Sequence, residues 1–88
     1  MKKEKIALHL NNLTKEDLKI IVKIIVKNNN KIYENTLKDL TEGVKSSRYE
    51  YLTYNDNFGW ERIMFIDIER EITFAEFKQL FKNKNKID

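Results

Sequence analysis

The chain has 88 residues, 41% hydrophobic and 35% charged, with a formal net charge of +3 and neither cysteine nor proline. That length holds one domain with one modest core, residues 1–88, and leaves little apolar surface for a deep substrate cleft. Without cysteine there is no disulfide framework and no thiolate metal site.

Residues 5–11 alternate, with Ile6, Leu8 and Leu10 on one face, which predicts a strand. Thr14, with Asp17 three residues on, predicts a helix start with a capping box. That helix is expected over Lys15–Lys27, ending at Asn28-Asn29-Asn30. Leu18 to Val26 is also rich in β-branched residues and reads as a rival strand, but the start signal and the recurring lysine favour the helix. A second helix is expected from Lys31 to Glu42, with Gly43 at its C′ position. Residues 48–54 and 60–67 read as two strands joined by the turn cluster Asn55–Gly59. In the simplest register Tyr54 faces Trp60. Thr73 and Glu76 form another capping box, Ile72 and Phe77 a hydrophobic staple, and a last helix follows to Lys82. Residues 83–88 read as a frayed polar tail. The order β-α-α-β-β-α implies an α+β domain, an antiparallel sheet with its helices on one face.

Leu18 to Val26 is too short to span a bilayer, and no secretory leader pattern follows Met1. A soluble cytoplasmic protein is expected. Lysine, isoleucine and asparagine are abundant, and all use AT-rich codons. Such composition is common in small proteins of phages and mobile elements, a likeness that covers no motif.

No constellation of catalytic residues emerges. His9 is the sole histidine, and no base-bearing motif surrounds Ser46 and Ser47. Asp67, Glu69 and Glu71 alternate and, on a continued strand, would line one face, the basis of a weak metal-dependent hydrolase alternative. Aligning Glu76 with the last position of a calcium loop puts Phe65 first and Arg70 sixth, both wrong for calcium. No metal site and no cofactor is expected.

Two features remain. Lys15, Lys19, Lys23 and Lys27 form one slanting stripe on the first helix, able to track phosphates. Charge is also segregated along the chain. Residues 1–31 hold eight lysines against three acids, and residues 48–77 three arginines against seven acids. The second feature is the aromatic hairpin: Tyr49, Tyr51, Tyr54, Phe58 and Trp60 are the partner-binding candidates. The wide apolar arc of the first helix further suggests a contiguous exposed patch, most simply a homodimer interface. The leading expectation is a non-enzymatic protein that occupies a macromolecular partner, protein before nucleic acid, as a small inhibitor or regulator of the kind anti-CRISPR proteins exemplify. The alternative is a nucleic-acid-binding regulator using the lysine row and the basic tail.

Overall fold

The computed structural model describes the backbone of residues 5–65 and 68–87 and the side chains of 5–65 and 68–82. The elements are β1 (Ile6–His9), α1 (Lys15–Lys27), α2 (Glu34–Glu42), β2 (Tyr51–Asn55), β3 (Gly59–Ile63), β4 (Arg70–Ile72) and α3 (Phe74–Ile87). The sheet order is β3-β2-β1-β4. β1 pairs antiparallel to β2, and β2 antiparallel to β3 in the expected register, Tyr54 opposite Trp60.

α1 begins and ends where its cap residues dictate. The Asp17 amide donates to Thr14 Oγ1, and the Thr14 amide to Asp17 Oδ2, both at 3.1 Å. At the far end Asn29 takes a left-handed turn, φ 57°, and the Asn28 side chain donates to Ile24 O. Thr14→Ala should therefore cost about 1 kcal/mol of stability. Urea titration checks this, and an unchanged midpoint would contradict it.

The helices cover one face of the sheet, as expected. Leu8, Leu52, Trp60 and Ile72 of the sheet form one buried cluster with Leu18, Ile21 and Ile25 of α1, Leu40 of α2, and Phe77 and Phe81 of α3. α3 is started by its own box: the Thr73 amide donates to Glu76 Oε1 at 2.9 Å and the Glu76 amide to Thr73 Oγ1 at 3.1 Å. The hydrogen bond from the Thr73 amide holds the Glu76 carboxyl below the usual carboxylate range. That contribution to stability is therefore present above the ordinary glutamate pKa and is lost as pH falls through the depressed value.

Four expectations need correction. First, the sheet is mixed, because a strand not anticipated, β4, pairs parallel to β1. The amides of Glu69 and Arg70 donate to Lys5 O, and the Lys5 amide to Glu69 Oε1, pinning this edge. On the second sheet face Ile68 packs against Ala7, Tyr51 and Ile63, and the exposed Phe65 ring meets that of Tyr51. Second, α2 starts at Glu34, three residues late. Lys31 and Ile32 are spent on the outer edge of β3: the Trp60 amide donates to Lys31 O, and the Tyr33 amide to Trp60 O. Gly59 permits this approach, since at φ 84° an added Cβ would run into the Lys31 backbone. Third, β2 begins at Tyr51, not residue 48, and β3 ends at Ile63. The Ser46 hydroxyl accepts the amides of Arg48 and Tyr49 and holds that stretch as a loop. Fourth, helical backbone continues beyond Lys82 to Ile87.

The contiguous apolar patch on α1 is not present. Ile20 and Val26 are 40% and 55% exposed, but they sit on opposite flanks of the lysine row, roughly 120° apart, and Ile24 is partly buried. No described helix is long and apolar enough to cross a membrane.

Candidate functional site

A cleft of about 750 Å³ opens between the start of α2, residues 44–49 and the outer edge of β3. Each wall has a local cause. Tyr33 stands at the N-cap of α2 because its amide is tied to Trp60 O. Tyr49 and Val44 are carried by the loop that Ser46 shapes. Phe58, at the hairpin tip, meets the Tyr33 ring edge-on, with centroids 5.4 Å apart. Tyr49 is 45% exposed and Phe58 53%, and Val44 and Tyr33 are exposed as well.

Arg62 fastens the loop to β3. Its side chain is only 6% exposed. Nε donates to Tyr49 O at 2.8 Å and Nη1 to Val44 O at 2.9 Å, while Asp39 Oδ2 lies 3.6 Å from Nη1. Burial pulls the guanidinium pKa below its ordinary value, and Asp39 opposes the shift. The backbone of the same residue is held too, its amide donating to the buried Thr36 hydroxyl. Asp39, Lys45, Ser47 and Glu61 add a polar lining. Arg62 Nη2 is buried with no hydrogen-bond partner among the described residues. The cleft thus pairs exposed rings with a polar floor, an arrangement suited to receiving side chains of another molecule.

The structure divides the aromatic candidates. Tyr49, Tyr54 and Phe58 are exposed. Trp60 is buried against Phe77 and Phe81, with Nε1 directed to Asn30 Oδ1 at 3.4 Å, and is a core residue. Tyr51 is buried on the other sheet face, stacked on His9 at 4.7 Å. Its phenol donates to Glu71 Oε1 at 3.4 Å; burial, reinforced by Glu71 and Glu50, pushes its pKa up.

The remaining candidates have other surroundings. Lys15, Lys19, Lys23 and Lys27 are all exposed along α1. Glu69 accepts from the Lys5 amide, whereas Glu71 faces Tyr51 and His9; Asp67 lies outside the described residues. Among the described residues no three His, Asp or Glu side chains are grouped to hold a metal ion. His9 sits between Glu50, 3.6 Å from Nε2, and Glu71, 3.9 Å from Nδ1, with Asn12 hydrogen-bonded to Nδ1.

Tyr33, Val44 and Arg62 went unrecognised in the sequence. For Arg62 a signal existed: it shares strand parity with Trp60, so a charged side chain falls on the core side of β3. Tyr33 and Val44 are brought to the cleft by tertiary contacts alone. Set beside known proteins, the chain matches no family model, and no curated protein and no solved structure resembles it at a significant level.

Proposed function

We propose that this chain is a non-enzymatic binding protein that covers part of a partner protein's surface, in the manner of a small inhibitor or regulator. One observation carries the reading: exposed Tyr33 and Tyr49 line a cleft whose floor is fixed by Arg62, and exposed Phe58 packs edge-on against Tyr33. Tyrosine and phenylalanine give large contact area for few rotatable bonds and are favoured interface anchors. A loop already tied down loses little entropy on binding. The occupant is a segment of the partner that places apolar side chains between Tyr33 and Tyr49, with its polar groups meeting Lys45, Ser47 and Asp39. The nearby serine chemistry serves shape, since Ser46 Oγ accepts two backbone amides of its own loop.

The test is partner retention by purified variants. Tyr49→Ala and Phe58→Ala should each weaken binding by roughly 30-fold, the hot-spot range. Neither should move the melting temperature much, because both rings are about half exposed. A partner held equally tightly by the double variant overturns the reading. Light scattering adds one distinction: a monomeric mass assigns the cleft to a different protein, whereas a dimer lost in the double variant assigns it to a second copy of this chain.

A further inference from the structure

The outer face of α1 presents four ammonium groups that the fold does not neutralise. Lys15, Lys19, Lys23 and Lys27 are exposed, and among the described residues none has a carboxylate within ion-pair distance. Glu16 is the exposed acid of α1 and makes no ion pair with the row; Glu50 and Glu71 flank His9 on the sheet face opposite the helices. We propose that this helix face binds the phosphate backbone of duplex nucleic acid without reading its sequence. The proposal uses residues separate from the cleft, so the two stand or fall independently.

Rigidity is the first reason. α1 is capped at Thr14, and Leu18, Ile21 and Ile25 are fully buried beneath it, so the stripe is a fixed rod. Spacing is the second. Steps of four residues rise about 6 Å each, so the row spans about 18 Å. A duplex strand offers one phosphate per about 3.4 Å of axis, so Lys19, Lys23 and Lys27 meet phosphate with little side-chain rearrangement, and Lys15 joins them by swinging its stem off Gly43. Chemistry is the third. The exposed residues of α1 are Lys15, Glu16, Lys19, Ile20, Lys23, Val26 and Lys27. None is arginine, asparagine or glutamine, whose planar forks fix a bidentate geometry on base edges, and the lysine ammonium serves phosphate as a point charge.

Two rival polyanions fit less well. An anionic membrane needs an apolar helix side to insert, but the apolar side of α1 is consumed by the core. Its two exposed apolar residues are separated by the lysines. A single strand is held largely by stacking on aromatic rings, and α1 carries none.

The test is anisotropy of a labelled duplex of about 20 base pairs, titrated at several KCl concentrations between about 20 and 200 mM. With four contacts the log–log slope against salt should be about −3.6, the same for unrelated sequences. Lys19→Gln with Lys23→Gln should bring the slope to about −1.8. Lys78→Gln with Lys82→Gln removes the same charge from α3 and should leave the slope unchanged. Melting curves establish that both double variants are folded. Four results would overturn the proposal: no binding at the lowest salt, an unchanged slope in the α1 variant, an equal loss in the α3 variant, or tighter binding to phosphatidylserine vesicles than to the duplex.

Discussion

Phe77→Ala is expected to destabilise the domain by about 3–5 kcal/mol, the cost of deleting a fully buried aromatic ring and leaving its cavity. Phe77 is fully buried, and its ring meets Trp60 at 5.3 Å and Phe81 at 5.1 Å, both edge-on. It joins α3 to the hairpin across the core. Trp60 is not free to collapse into the gap, being tied through its backbone to Lys31 and Tyr33 and through its indole to Asn30. A small domain has roughly 0.05–0.15 kcal/mol of stability per residue, so this loss takes much of the total. Urea unfolding should show a large fall in midpoint with little change in slope. Leu80→Ala, one turn along on an exposed position, should cost under about 1 kcal/mol. Similar costs for the two would mean that α3 does not pack as described.

The second large effect concerns Arg62. Arg62→Met keeps an apolar stem of similar length but removes the donors to Tyr49 O and Val44 O and the charge beside Asp39. Losing two hydrogen bonds from a buried charged donor should cost about 2–4 kcal/mol. The damage should be local first. Residues 44–49 keep the hydrogen bonds from Asn11 Nδ2 to Ser46 O and from the Val44 amide to Asp39 O, but lose both ties to β3, so amide exchange there should quicken more than in α1 or β2. Arg62→Lys should recover only part, because one ammonium does not reproduce a planar fork aimed at two carbonyls. Exchange rates in residues 44–49 unchanged in the Met variant would show that the loop holds itself, and the cleft would no longer depend on Arg62.

Local chemistry made much of the fold legible. Thr14 with Asp17, Thr73 with Glu76, the Asn28–Asn30 stop and Gly43 at the end of α2 all act within a turn of themselves, and each works as read. What failed depended on distant partners. Lys31 and Ile32 continue a helical pattern, but β3 needed an edge cover, and tertiary pairing outweighed propensity there. β4 is three residues long, too short for alternation to show, and its pairing is decided by Lys5, more than sixty residues earlier. The site was legible only in part for the same reason. Aromatic density pointed to the hairpin, but which rings stay outside depends on α3 burying Trp60 and on Phe65 and His9 covering Tyr51. The lysine row needed only helical spacing and lies where that spacing puts it.

The central claim is that the aromatic-walled cleft meets a protein partner, and site-resolved photo-crosslinking tests it most directly. A photoreactive phenylalanine analogue is placed in turn at Tyr49, Phe58 and Leu80, three exposed positions. Tyr49 lines the cleft and Phe58 packs against its wall residue Tyr33, whereas Leu80 is not part of the lining. Irradiation of cells that make the protein should give one discrete heavier adduct from Tyr49 and Phe58 and none from Leu80. An adduct from Leu80 alone, equal adducts from all three, or no adduct at any would contradict the claim.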